Sequence, residues 1–257
     1  MSTLGLILVL TIASGALSMI GGVVLLGSAR LVKRFSVHIV SFAAGALLAG
    51  AFLDLLPEAV EMFEGEVDTI FWFVLGSIVF FFLFERAFNL YHHHHHEDDE
   101  GHTHATPLML LAGDAIHNFV DGVAVAAAVL VSPTLGIVTA LAVAAHELPQ
   151  EISDFSIMLH HGWAKAKVFW SNLLVSLTAV IGGVLVFYFH DLTEPYLPLF
   201  LAVTAGIFIY IASTDLMPEV SSETARDKAF HVIVLLLAGI LAVWLAGEIG
   251  PAFGLAH

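Results

Sequence analysis

Two hexapeptides put metal-binding side chains inside long apolar segments: His117-Asn118-Phe119-Val120-Asp121-Gly122 and His146-Glu147-Leu148-Pro149-Gln150-Glu151. Around the first, Asp114, His117, Asn118 and Asp121 stand at i, i+3, i+4 and i+7, one face of a helix. Ala, Val, Leu and Phe cover the other face. The second segment repeats the device with His146, Glu147, Gln150, Glu151 and Asp154. Two antiparallel helices facing each other would converge imidazoles and carboxylates, the ligands that bind Zn²⁺ at about 2.0–2.2 Å. The same donors accept Fe²⁺, Mn²⁺ or Cd²⁺, so the ligand types alone do not choose the metal. Pro149 lacks an N–H and frees a carbonyl one turn back, near Ala145, adding a bend and an oxygen beside the set.

The surrounding chain is membrane protein. Of 257 residues, 59% are hydrophobic and 12% charged, and the mean hydropathy is +0.93, outside the range of soluble domains. An Asp at the centre of a membrane helix costs roughly 2.5–3.5 kcal/mol. A polar set of this size inside apolar helices therefore implies compensation by water, partners or a cation, and a divalent ion crossing the bilayer is the simplest cation that accounts for it.

A span needs about 20 apolar residues, and eight segments qualify: about 4–27, 36–57, 69–90, 107–131, 134–160, 168–190, 196–218 and 230–250. They predict an all-α polytopic membrane protein, residues 1–257 forming a single transmembrane transporter domain with a His-rich cytoplasmic loop at 91–106. No segment is left over for a soluble catalytic or nucleotide-binding domain, so a primary pump is excluded. The absence of cysteine removes disulfides and thiolate metal sites. Residues 4–27 lack a preceding basic region and run too long for a signal peptide core, so they are expected as a retained first span.

Charge sets the expected orientation. Arg30, Lys33, Arg34, Arg86, Lys165, Lys167, Arg226 and Lys228 all fall in or beside alternate loops. The positive-inside rule puts those loops in the cytoplasm and both termini outside, in a cell (plasma or inner) membrane. The outer face carries Glu58, Glu61, Glu64, Glu66 and Asp68, either a cation-concentrating pore mouth or an ordinary solvated charge run.

Residues 44–58, AGALLAGAFLDLLPE, align with residues 205–219, AGIFIYIASTDLMPE, at an offset of 161 that also matches Ile20-Gly21-Gly22-Val23 to Ile181-Gly182-Gly183-Val184. Spans one to three therefore repeat as spans six to eight in a 3+2+3 arrangement. An odd number of intervening spans makes the two copies inverted. Inverted repeats mark transporters, with the substrate site near the midplane between them.

The paired motifs, His-Asn-Phe-x-Asp-Gly with His-Glu-x-Pro-x-Glu, resemble the ZIP (Zrt/Irt-like) metal transporters, in particular the LIV subfamily. The likeness extends over the whole chain, including the His-rich loop. It implies a central metal site from His117, Asp121, His146 and the position of Gln150, with Asn118, Glu147 and Glu151 as neighbouring ligands and spans two, four, five and seven lining the route. The subfamily pattern usually has His where this chain has Gln150 and Gly where it has Ser153. An amide oxygen is the weaker ligand, which opens a bias toward Mn²⁺ or Fe²⁺.

Asp54 and Asp215 occupy equivalent repeat positions and are expected in opposite vestibules of one pathway, with Glu58 and Glu61 at the outer mouth and Asp114 and Asp154 along it; the bland alternative is a helix-terminal charge or cap. His92, His93, His94, His95, His96, His102 and His104 form a cytoplasmic tract that would bind Zn²⁺ loosely. His160 and His161 end the fifth span on the same side and could join the exit. The aromatic run Phe71 to Phe84 is either lipid-facing or a homodimer surface. The partners expected are the ion, the lipid bilayer and a second copy, with no nucleic acid. The rival function is an intramembrane zinc-dependent hydrolase, since His146-Glu147 begins an HExxH pattern, but that pattern needs His at position 150. A non-transporting metal sensor would use the His tract and leave the inverted repeat unexplained.

Overall fold

The computed structural model describes residues 1–93, 107–221 and 229–249. His94, His95, His96, His102 and His104 lie outside the described residues, as do Arg226 and Lys228, and of His92 and His93 only the helical backbone is described.

Every expected span is a helix. These are α1 (Thr3–Gly27), α2 (Ala29–Ala49, continuing through Gly50–Leu55 and Leu56–Met62), α3 (Val67–His93), α4 (Pro107–Val131), α5 (Pro133–His160), α6 (Lys165–Tyr188), α7 (Leu197–Ile211, continuing through Ala212–Leu216 and Met217–Val220) and α8 (Ala229–Ile249). Seven of them are long and apolar enough to cross a membrane. The eighth, α5, has the length at 28 residues, but its second half carries the polar set from His146 to Asp154. Single serines make two of the reversals. Ser28 Oγ accepts the N–H of Leu31 at 3.4 Å and Ser132 Oγ that of Leu135 at 3.1 Å, each capping the helix that follows.

Helix packing comes in symmetry-related pairs. α4 lies along α6 as α5 lies along α1, and α3 lies along α7 as α8 lies along α2. In space the 3+2+3 order along the chain therefore resolves into two groups of four, α1-α4-α5-α6 and α2-α3-α7-α8, joined chiefly by α2 against α5. The first helix of each repeat copy leaves its own copy for the central pair. Small residues permit it: a Cβ at Gly22 of α1 would meet the Phe155 ring of α5 at 2.6 Å, so only glycine lets that ring seat there.

The repeat duplicates a backbone irregularity as well as a sequence. Gly50–Leu55 of α2 and Ala212–Leu216 of α7 are both π-helical turns, and they contain the equivalent Asp54 and Asp215. Pro57 and Pro218 follow within a turn. A proline ring clashes with the carbonyl four residues back and offers it no N–H, and a widened turn accommodates both faults without ending the helix.

Candidate metal centre

The site is built where α4 crosses α5. On α4, His117 and Asp121 are one turn apart, which brings His117 Nε2 to 3.5 Å from Asp121 Oδ2. From α5, His146 Nε2 comes to 3.4 Å from the same oxygen and to 3.1 Å from His117 Nε2. The two imidazoles meet edge to face at 77°. Behind His146, Nδ1–H donates to the Ala142 carbonyl at 3.1 Å, leaving the Nε2 lone pair aimed at the triangle. The Phe208 ring of α7 packs on the same imidazole at 5.9 Å. His146 and Asp121 are 1% and 2% exposed, whereas the His117 side chain is 19% exposed, so the triangle is reached from the His117 side.

The dimensions match a metal. Ligands about 2.0–2.1 Å from a tetrahedral Zn²⁺ lie about 3.3–3.4 Å from one another, and the three edges here are 3.1, 3.4 and 3.5 Å. Among the described residues this is the one group of three or more His, Cys, Asp and Glu side chains whose donor atoms draw together closely enough to hold a metal ion.

Toward the end of the bundle where α4 starts, Asp114 Oδ1 accepts from Asn118 Nδ2 at 2.9 Å and from Gln150 Nε2 at 3.0 Å. The Gln150 amide N–H is thus turned to a carboxylate. Glu147, Glu151 and Asp154 are all buried. Nine buried side-chain polar atoms lack a hydrogen-bond partner among the described residues, and five of them belong to this set: Asp114 Oδ2, Asn118 Oδ1, Asp121 Oδ2, Glu147 Oε1 and Glu151 Oε2. All five are oxygens. Unpartnered buried acceptors cost about 1–3 kcal/mol each, more when charged, so their concentration at one crossing marks a place designed for something positive.

A cavity of about 440 Å³ leads from His117 and His146 past Asp114, Gln150 and Asp154 to Asp215 and Glu219. By the alternation of the helices it opens at the end of the bundle that carries Arg30, Arg86 and Lys165. Asp54, Glu58 and Glu61 lie toward the opposite end and outside its lining; Asp54 packs instead against α8, where a Cβ at Gly247 would meet Asp54 Oδ1 at 3.0 Å. His160 and His161 end α5 away from the lining. Two lining residues escape a reading of the sequence, Glu85 of α3 and Tyr210 of α7, joined by Tyr210 Oη donating to Glu85 Oε2 at 2.5 Å. Glu85 looks interfacial beside Arg86, and Tyr210 has no neighbour in sequence that signals a partner. Glu219 had a signal, being the repeat equivalent of Glu58.

Known proteins resemble this chain in sequence. The family model described as ZIP Zinc transporter matches residues 4–108 and 103–246. Zinc transporter ZIP13 of Pongo abelii is 31% identical over 226 residues, 81% of this chain and 66% of that protein. Zinc transporter ZIP4 of Homo sapiens is 39% identical over 139 residues, 54% of this chain and 21% of the relative. Zinc transporter foi of Drosophila melanogaster is 36% identical over 157 residues, with 59% and 22% covered. The chain spans from 21% to 66% of the length of these relatives. With a family model matched over nearly its whole length and both motif helices inside the match, the chain belongs to the ZIP zinc transporter family.

Proposed function

We propose that this chain, a LIV-type member of the family, carries divalent metal, zinc first, across the cell membrane into the cytoplasm. In this reading His117, Asp121 and His146 hold the ion midway, and Asn118, Glu147 and Glu151 stand beside them. The observation that carries it is the size of the triangle, three donors on two helices at the edge lengths of a zinc tetrahedron. The relatives, all named zinc transporters, support the same cargo.

Orientation follows from charge. The positive-inside rule assigns the end with Arg30, Arg86 and Lys165 to the cytoplasm and both termini to the outside. The cavity is then the inner vestibule. The ion sheds water near Asp54, Glu58 and Glu61, is held at the triangle, and leaves past Asp114, Asp154 and Asp215 toward the His-rich loop of His92–His96, His102 and His104. A hydrolytic role has less support, because the position that HExxH fills with His holds Gln150, whose amide is bonded to Asp114, and the second imidazole comes from α4.

Purified protein in proteoliposomes loaded with a zinc-sensitive dye gives saturable influx, and His117→Ala lowers kcat/KM at least about tenfold. Tight binding without flux in oriented vesicles overturns the transport reading. Metal must compete with protons for imidazole nitrogen and carboxylate oxygen, so lowering the external pH from neutral into the acid range weakens binding and reduces uptake. Flux that rises over that interval would contradict the assigned ligands.

A further inference from the structure

A cavity of about 660 Å³ lies away from the metal route, in the seam between the two groups of four helices. α1 and α5 form one wall, α2 and α8 the other. Leu31, Phe35 and Phe42 recur at i, i+4 and i+11 along one face of α2, and Val24 of α1, Ile152 of α5 and Leu235 of α8 line the same space. The α1–α5 wall is tight, since a Cβ at Gly21 would meet the Leu148 carbonyl at 2.8 Å. The outer side is open, with Leu31, Phe35 and Val24 all exposed. Among the described lining residues His38 alone has a polar side chain, and its ring already packs against Phe35 at 6.0 Å and His231 at 5.8 Å. A water-soluble ligand finds little to bond there. From Leu31 to Phe42, α2 rises about 16 Å, and half of a hydrocarbon core is about 15 Å. The groove runs the depth of one leaflet.

We propose that this seam holds one acyl chain of an anionic phospholipid, with the phosphate at Arg30. The charge at the mouth sets the headgroup. Arg30 is exposed and directly precedes Leu31, the first α2 residue of the groove. Lys165 Nζ donates to the Leu26 carbonyl at 2.7 Å, which holds the exposed start of α6 against the last turn of α1, four residues before Arg30. Lys33 and Arg34 add two more positive charges in the next turn of the chain. Basic clusters between membrane helices at the cytoplasmic side attract anionic headgroups, about fivefold in affinity for each Lys or Arg near the surface. Ordinary boundary lipid lies against convex helix surface, whereas here helices of both groups flank the chain. The lipid therefore bridges the seam where α2 meets α5, the main join between the groups. Nothing in this depends on which ion the triangle holds.

Mass spectrometry of the intact full-length protein, titrated with phosphatidylglycerol or with phosphatidylcholine of the same chains, tests this. One phosphatidylglycerol per chain is retained at saturation, at least about fivefold more tightly than phosphatidylcholine. Arg30→Gln removes most of that preference. Val24→Trp and Leu141→Trp fill the groove from two different helices, and each lowers phosphatidylglycerol retention about tenfold or more. Retained Zn²⁺ binding in the same samples verifies the fold, and either Trp variant serves if the other fails to fold. Phosphatidylglycerol carrying a photoreactive acyl chain labels residues 31–42 and 141–152. Equal retention of the two lipids, retention that survives both Trp variants, or label spread over the aromatic α3 face at 71–84 overturns the proposal. A dimer that forms without lipid and shields 31–42 from labelling gives the seam to a second copy, and overturns it equally.

Discussion

His146→Ala abolishes saturable metal uptake, lowering kcat/KM by more than about a hundredfold, a larger loss than at any other single position. His146 is the only donor of the triangle carried by α5. Without it, His117 and Asp121 remain on one helix and nothing closes the site across the α4–α5 crossing. Its imidazole also contributes two of the three edges, at 3.1 and 3.4 Å, and it is 1% exposed, so no water-borne group replaces it. His117, partly open to the cavity, is the more forgiving position. Uptake by His146→Ala beside the unaltered protein, with matched elution and thermal unfolding, checks this. Residual saturable flux within tenfold of the unaltered protein would mean that the ion is held elsewhere.

The second large effect concerns folding. Gly122 follows Asp121 directly, and a Cβ there would overlap the Ala179 carbonyl of α6, while a Cβ at Gly182 of α6 would overlap the Phe119 carbonyl of α4. The two backbones touch at both points, which is why the motif ends in Gly. Gly122→Val must push α4 away from α6. Overpacking of this kind costs about 1–3 kcal/mol or more, and the obstruction is backbone that cannot rotate away. The melting temperature followed by size exclusion falls by roughly 5–10 °C, and Zn²⁺ binding weakens with it because Asp121 moves with the helix. An unchanged melting temperature would show that α4 and α6 have slack.

Much of this was legible in the residues. Helical spacing alone put His117 with Asp121 and His146 with Gln150, since side chains one turn apart must share a face. The offset of 161 exposed the inverted copies because Ala-Gly-Ala and Asp-Leu-x-Pro-Glu survive in both. Long-range choices were not legible. Nothing local says that Gln150 turns its amide to Asp114, because any cross-helix acceptor would satisfy it. Asp54 and Asp215 look alike in sequence, yet one packs against α8 and the other lines the cavity; an inverted pair in a bundle open at one end cannot be equivalent. The split of each repeat between two helix groups was likewise hidden, since the membrane-spanning parts of α1 and α6 are mostly apolar and the glycines, small hydroxyl residues and single Asn172 they carry name no particular partner.

The position of α1 has a consequence for how the protein is made. Its main neighbours, α5 and α6, begin at Pro133 and Lys165. At roughly 5–20 residues per second of synthesis, α1 enters the bilayer many seconds before either exists. During that wait it carries Thr11, Ser14 and Ser18 into lipid, where unmet hydroxyls are costly. Each has its own answer: Thr11 donates to the Ile7 carbonyl, Ser14 to that of Thr11 and Ser18 to that of Gly15, all within the helix. This span is thus self-sufficient until its partners arrive, and assembly of the half that carries the candidate metal centre is deferred until α5 and α6 have emerged from the ribosome.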